Sequence, residues 1–545
     1  MHAPHDGNGT TETMARAPAI AADCDQLWQL LETAARQHPA APHILFRDRR
    51  WSYAETHAQA LRIAAGLRAA GIGKGDRVGL MLVNTPAYLQ LCFALWRVGA
   101  VGVGLNPLYP DRRVAELLAA VDAKMLVIAD TPDDAARART IGASYPVAVL
   151  TCAADASDLT GNEAVDATPG SLGWLLGHGA DPDSVAVSRD DLAMLQFTGG
   201  TTGAPKAAML THGNLLSAIA MGASGMTDVR QAREAWSVIA PMTHVTGLVL
   251  YVGVCTAFAG QGVIMERFDP GHLVSQLQGG AITVLTAIPT MITALLMQPG
   301  VEAIDWSRLA LVMAGGAPIP LALQQRFLAV AGRPVLQAYG LTETCAAATM
   351  LSAAEHEGQL ASVGRALAGV EISIRDLDAP DRPCAVGGTG EVCLRGPNVI
   401  TAYLGDADPQ EMRTSDGFFR TGDVGRLDAD GFLFIEDRVK DLIICSGYNV
   451  YPRLVEEAVQ SIAGVREVVA VGLPDAYRGE TVAVALVTDG VPLTVEDLKE
   501  RLKDRLSPVE MPKQVFVFDN LPKTENFKLS RSLIRNLLVI EQTPD

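Results

Sequence analysis

Gln196–Leu210 reads QFTGGTTGAPKAAML, three glycines and three threonines running straight into a lysine. The residues leading into it, DDLAMLQF, read as a strand, so the glycines begin a loop at a strand's end. Closely spaced glycines let successive backbone N–H groups turn inward around an anion. Threonine hydroxyls and Lys206 add further donors. A phosphate chain suits such a cradle. The spacing is not that of the ordinary P-loop, because Lys206 follows proline and not glycine.

Outward from this loop the chain alternates helix and strand. WSYAETHAQALRIAAGLRAAG carries Ser52 and Glu55 at capping-box spacing and stops at Gly71. DRVGLMLVN reads as a buried strand. TPAYLQLCFALWRVGA then places Thr85 as N-cap and Pro86 at the first helical position, and AVGVGLN is the next strand. This rhythm continues past residue 340 and predicts a mostly parallel sheet covered by helices. From about residue 362 the texture becomes β-rich, with VEISIRDL, GEVCLRGP and GFLFIEDR as short alternating strands. After DRVKD the pattern resets to a compact α+β unit whose last helix is expected from Leu529.

The fold class expected is therefore α/β: a large N-terminal domain of helix-covered, mostly parallel sheets with a small β-rich subdomain, then a small α+β C-terminal domain. The boundaries read 1–24 for an N-terminal tail (Met14 is an alternative start), 25–437 for the large domain with its subdomain at 362–437, a domain boundary at 438–441 and 442–545 for the C-terminal unit.

At 545 residues more than one core is expected. With 44 basic against 61 acidic residues, the formal charge of −17 argues against nucleic acid or an anionic membrane as partner. The eight cysteines are scattered without a CxxC pair, which predicts buried thiols in a reducing compartment. No signal-peptide pattern opens the chain. The uncharged Leu248–Met265 is interrupted by glycines and reads as buried core and not a membrane span. A cytoplasmic enzyme with no transmembrane segment is expected.

Further motifs accompany the loop. QAYGLTET (Gln337–Thr344), the stretch from TGD at Thr421–Asp423 to DRVKDLIICSGYNVYP, and LPKTENFKLSR follow in order. Together with TGGTTG they resemble the adenylate-forming superfamily over essentially the whole chain from residue 25. They look most similar to bacterial medium- and long-chain fatty acyl-CoA ligases.

That resemblance implies a reaction in two halves. A carboxylate attacks the α-phosphorus of ATP, pyrophosphate leaves, and the acyl-AMP is then attacked by the thiol of coenzyme A. Charge gathers on phosphoryl groups, so positioned cations and Mg²⁺ matter more than a protein nucleophile. By the same resemblance Thr198, Gly199, Gly200, Thr201, Thr202, Gly203 and Lys206 wrap the β- and γ-phosphates. Tyr339 and Gly340 border the adenine, Thr342 meets the α-phosphate and Glu343 holds Mg²⁺. Asp423 accepts from both ribose hydroxyls, Arg438 reaches ribose or phosphate, and Lys528 bridges the carboxylate and the α-phosphate. Catalysis thus falls to Lys528, Thr342, Glu343 and Lys206.

The resemblance also implies that His244 stands at the gate between acyl pocket and thiol channel, with Thr246, Gly247, Ala314, Gly315 and Gly316 walling the pocket. By the same resemblance Gly447 is expected along the coenzyme A channel, and Lys440 is expected to be the pivot and hinge (438–441) about which a mobile C-terminal domain turns. Pairing into a homodimer is a family habit.

Two positions depart from the family pattern. Phe527 stands where glycine normally precedes the catalytic lysine, with Lys523 as the less favoured stand-in, and Leu454 replaces a usual glutamate. The pocket stretches are small and apolar, without an arginine or lysine to meet a second carboxylate. This favours a fatty acid, with an aromatic or alicyclic acid as the alternative. A fatty acyl-AMP ligase serving a carrier protein is a further alternative, as is a catalytically weak acyl- or nucleotide-binding protein.

Overall fold

The computed structural model describes all residues except 1–22, 160–167, 181, 182, 184, 199–205, 318, 406–408, 447, 476, 491, 492, 524–528 and 543–545. Local sequence signals account for the first elements. Ser52 Oγ accepts from the Glu55 N–H while the Glu55 carboxylate accepts from the Ser52 N–H at 2.7 Å, and helix Tyr53–Ala69 starts there. Helix Pro86–Val98 is capped by Thr85 and closed by Gly99 in the left-handed region at φ 73°. Every residue of that helix is buried, which explains its lack of a polar face.

Among the described residues the strands form four sheets. One has six strands in the order Ala148–Cys152, Met125–Ala129, Arg77–Met81, Val101–Gly104, Leu192–Thr198 and Lys206–Thr211. All neighbours are parallel except the last pair. The second has nine strands. Its parallel centre runs Leu336–Tyr339, Leu311–Gly315, Val284–Ala287, Ala235–Val238, Gln261–Ile264 and Pro42–Phe46. Antiparallel strands close both edges, Thr349–Met350 and Arg365–Ala366 on one side and Arg49–Ser52 on the other. One continuous apolar core takes residues from both sheets and from helices Pro86–Val98 and His212–Gly225. Burial of this extent dominates the favourable side of folding.

A four-stranded antiparallel sheet follows: Glu371–Arg375, Gly390–Arg395, Phe419–Leu427 and Leu433–Arg438. The C-terminal sheet joins Tyr448–Val450, Ile443–Cys445, Gly479–Thr488 and Val465–Asp475, with Gln514–Val517 parallel to Gly479–Thr488. Its residues alternate between two cores. Ala470, Val482, Val484 and Leu486 meet helices Pro452–Gln460 and Val495–Leu502. Val469, Val471, Ala483 and Ala485 share the other core with Ile534 and Leu538 of helix Arg531–Gln542.

Three details differ from the sequence expectation. Arg365–Ala366 belongs to the nine-stranded sheet, so the four-stranded sheet begins at Glu371 and not near 362. The strand Phe419–Leu427 was not anticipated, because its Arg-Thr-Gly-Asp run reads as a turn. The last helix begins at Arg531 and not Leu529: Leu529 is bridged to Lys523, and the Ser530 hydroxyl accepts from the Leu533 N–H to start the helix. Leu248–Met265 divides into a buried π-helical turn, Leu248–Cys255, and the strand Gln261–Ile264. Among the described residues no helix is long and apolar enough to cross a membrane. All eight cysteines are free, seven of them buried and Cys384 half-buried.

Candidate active site

The strands Leu192–Thr198 and Lys206–Thr211 pair antiparallel with Thr198 opposite Lys206, so the two residues flank the glycine segment at one end of the sheet. Gly199, Gly200, Thr201, Thr202 and Gly203 lie outside the described residues. Lys206 is exposed, and its Nζ stands 5.1 Å from the centroid of the Tyr403 ring.

The second contributor is the C-terminal edge of the nine-stranded sheet, where open α/β sheets present their ligand sites. Leu336–Tyr339 ends there, and the chain turns sharply at Gly340. A Cβ at Gly340 would stand 2.4 Å from the Ala346 carbonyl oxygen, so only glycine fits. The single turn Thr342–Thr344 follows, with the Thr344 hydroxyl accepting from the Leu341 N–H at 2.8 Å. Glu343 projects from this turn, and its Oε1 accepts from the Tyr403 hydroxyl at 2.6 Å.

The four-stranded sheet supplies the third part. Asp423 and Arg438 are direct cross-strand partners, and Arg438 Nε lies 2.9 Å from Asp423 Oδ1. Tyr339 reaches across from the other sheet and donates to Asp423 Oδ2 at 2.7 Å. Burial lifts the Tyr339 phenol well above its usual range, so it stays a donor. Burial also pushes the Asp423 carboxyl up, with Arg438 first and Tyr339 next pulling it back. Asp423 holds Arg438 above its ordinary value. Tyr339, Asp423 and Arg438, chosen separately from sequence, thus form one cluster.

His244 caps the short helix Val245–Gly247, its Nδ1 accepting from the Thr246 N–H at 3.3 Å. A Cβ on Gly247 would lie 2.2 Å from the Pro241 carbonyl oxygen, so the tight turn requires glycine. This segment follows strand Ala235–Val238 and is pinned by Asn84, whose Oδ1 accepts from the Met242 N–H at 2.8 Å. Ala314 and Gly315 end the strand beside Leu336–Tyr339, and Gly316 adopts φ 76°. Behind the helix, the Tyr251 hydroxyl bonds Thr286 Oγ1 at 2.9 Å, and Gly253 of the π-helical turn packs on Ile219.

Lys440 sits in the turn Val439–Asp441 directly after Arg438. Leu454 is 40% exposed on helix Pro452–Gln460. Lys523 is ion-paired with Glu467 at 2.6 Å. Gly447, Phe527 and Lys528 lie outside the described residues.

Sequence reasoning missed Tyr403, Asn398 and Arg531. Nothing in the local pattern TAYLG singles out this tyrosine; only tertiary pairing brings it to Lys206 and Glu343. Arg531 Nη1 lies 3.2 Å from Asp437 Oδ1 and 3.4 Å from Asp441 Oδ2, while its Nη2 and Nε hold both Glu456 oxygens at 2.7 and 3.1 Å. The final helix is thereby tied to the end of the four-stranded sheet.

The donor set fits a magnesium–triphosphate group. Glu343 offers a hard oxygen held by the Tyr403 hydroxyl, and the ring of the same tyrosine lies 5.1 Å from the Lys206 cation. A Mg²⁺ ion held by one carboxylate takes its other ligands from phosphate and water.

Comparison with known proteins agrees with the fold. The profile of the AMP-binding enzyme family matches residues 31–404, and that of the AMP-binding enzyme C-terminal domain matches residues 454–528. A feruloyl-CoA synthase from Amycolatopsis sp is 32% identical over 502 residues, 92% of this chain and 96% of that one. A long-chain-fatty-acid–CoA ligase from Bacillus subtilis is 29% identical, over 95% of this chain and 94% of that one. Among solved structures, ATP-bound MatB from Rhodopseudomonas palustris superposes with TM-score 0.86 at 28% identity, covering 95% of this chain and all of that one. MenE from Bacillus subtilis in complex with ATP and magnesium ion superposes with TM-score 0.78 at 27% identity, covering 92% and 98%.

The chain belongs to the AMP-binding enzyme family. Within it the protein is an acyl-CoA synthetase, an acid–thiol ligase served by ATP, Mg²⁺ and coenzyme A.

Proposed function

We propose that the protein activates a medium- or long-chain fatty acid to acyl-AMP and passes the acyl group to coenzyme A in the cytoplasm. The observation that carries the choice of acid is the apolar wall. From Val245 to Cys255 and from Ala314 to Gly316 the chain bears no charged side chain, and the π-helical turn is almost wholly buried. A dicarboxylate entering such a pocket would leave a charge without a partner, at a cost of several kcal/mol. A specific observation favours a second reading, an aromatic acid: the feruloyl-CoA synthase relative covers nearly the whole chain.

In this reading Lys206, Thr198 and the glycine segment hold the β- and γ-phosphates. Bound Mg²⁺ supplies charge neutralisation there, with Glu343 as its protein ligand. Thr342 meets the α-phosphate beside it. Asp423 exchanges its bonds to Tyr339 and Arg438 for the ribose hydroxyls, a role a two-oxygen acceptor can fill. Tyr339 and Gly340 then border the base, and Arg438 swings to ribose or phosphate. Lys528 neutralises the attacking carboxylate. His244 gates the pocket walled by Thr246, Gly247, Ala314, Gly315 and Gly316. Residues 25–437 form the adenylating domain, and 442–545 turn about Lys440 to open the thiol channel past Gly447. Support for two bodies comes from the separate hydrophobic cores of the C-terminal sheet.

The test is acid-dependent AMP release with and without coenzyme A, across acetate, octanoate, palmitate, benzoate, ferulate and cyclohexanecarboxylate. Turnover requiring coenzyme A and strongest with octanoate or palmitate is expected. Preference for ferulate or benzoate moves the substrate to the aromatic reading. Adenylate formation indifferent to coenzyme A points to a carrier-protein ligase, and ATP binding without turnover to a binding protein.

A further inference from the structure

The segment Pro397–Leu404 is fastened along its length to two parts of the site that are far apart in sequence. The Asn214 side-chain amide donates to the carbonyls of Pro397 and Val399 at 2.9 and 3.2 Å. The wholly buried Asn398 donates to the carbonyls of Thr344, at 3.0 Å, and Ala347. The Ile400 N–H donates to the Glu343 carbonyl at 2.9 Å. On the other side, Met209 N–H donates to Ala402 O at 3.3 Å and Leu404 N–H to Ala207 O at 2.8 Å, an edge pairing with the strand that leaves the glycine segment. Tyr403 is therefore held between the Thr342–Thr344 turn and Lys206. Its hydroxyl meets Glu343 Oε1 at 2.6 Å, and its ring centroid lies 5.1 Å from Lys206 Nζ.

We propose that Tyr403 is a positioning residue for the metal–triphosphate end of the site, aiming the Glu343 carboxylate through its hydroxyl and seating Lys206 on its ring. The inference rests on the reading of Glu343 as the magnesium ligand. A carboxylate on a single flexible side chain samples many rotamers. A charge-assisted hydrogen bond from a fixed phenol selects one of them, and it occupies one oxygen while presenting the other to a cation. The ring holds the ammonium by the cation–π attraction that operates within about 6 Å. A tyrosine placed for packing alone would not bring both features to the two residues that meet the same ligand.

The experiment measures Mn²⁺ binding by electron paramagnetic resonance with α,β-methylene-ATP present, and binding of that analogue in EDTA by calorimetry, on the full chain without turnover. Tyr403→Phe is expected to weaken Mn²⁺ about five- to tenfold, as loss of a hydrogen bond to a charged group should. It should leave metal-free analogue binding within about twofold of the parent. Tyr403→Leu should also weaken the metal-free analogue about threefold, through Lys206. The double variant Tyr403→Phe/Glu343→Gln should bind Mn²⁺ no worse than Glu343→Gln alone.

Mn²⁺ affinity of Tyr403→Phe within twofold of the parent overturns the proposal. So does parallel loss of metal-free binding, which marks a merely structural role, and so does an additive double variant. If Glu343→Gln itself keeps the parent affinity, the reading of Glu343 fails and the inference falls with it. If Glu343→Gln loses affinity and Tyr403→Phe does not, only the role of Tyr403 fails.

Discussion

Arg531→Leu should loosen the C-terminal unit by about 3 kcal/mol, the lower part of the range for breaking a buried ion pair. The figure follows from what the guanidinium leaves behind. Asp437 has a wholly buried side chain, and its oxygens also accept the N–H groups of Arg438 at 2.8 Å and Arg453 at 2.7 Å. Those bonds persist in the variant but carry no compensating charge. Glu456 and Asp441 retain 18% and 24% exposure, so water can screen them in part, which holds the loss to the lower end. Burial already pushes the Asp437 and Glu456 carboxyls up, and Arg531 is the main group opposing it in both.

All six tryptophans precede residue 307, so their fluorescence does not report on this unit. Amide hydrogen exchange does. Protection in strand Val465–Asp475 and helix Arg531–Gln542 should fall about 10²-fold, while strand Arg77–Met81 is unchanged. Arg531→Lys should be intermediate, keeping the charge but not the fork. A change under about fivefold in Arg531→Leu would show that the cluster does not hold the unit in place.

Other outcomes follow from the site and the core. Asp423→Asn should weaken ATP about 10- to 100-fold by calorimetry, as expected for losing charged acceptors to two hydroxyls; unchanged affinity would remove Asp423 from the ribose site. Gly340→Ala forces the Ala346 carbonyl away and with it the turn bearing Glu343. AMP release should drop about 10²-fold, since catalytic groups tolerate little displacement, and wild-type turnover would refute the close-approach argument. Burial lowers His43 to about 3 and His212 to about 4, so both are neutral when folded. The unfolded chain binds more protons below pH 6.5, so this stability is complete above that pH and is lost on descent toward pH 4 for His212 and pH 3 for His43. Each contributes a slope of about 1.4 kcal/mol per pH unit inside its window. The urea midpoint should therefore fall between pH 7 and 5.5, and His212→Asn should flatten the fall.

Legibility in the sequence tracked how local the physical cause was. Ser52 with Glu55 and Thr85 with Pro86 fix their helix starts through neighbours three residues away, and these were readable. Asp423 can be nominated from sequence as a site candidate but not as part of a strand, because TGD has turn composition and only its pairing with Arg438 makes it extended. Tyr339, Asp423 and Arg438 could be nominated one by one; their convergence needed two sheets to meet. Tyr403 and Arg531 carry no local signature, since their partners lie far off in the chain: Glu343 is 60 residues from Tyr403 and Lys206 much farther, and Asp437 is 94 residues from Arg531.

The most direct measurement gives the enzyme octanoate labelled with ¹⁸O in both carboxylate oxygens and analyses the products by mass spectrometry. Attack of the carboxylate on the α-phosphorus predicts one ¹⁸O in AMP for each octanoyl-CoA formed, with unlabelled pyrophosphate. Label in inorganic phosphate or pyrophosphate, or unlabelled AMP beside octanoyl-CoA, would contradict the adenylate route.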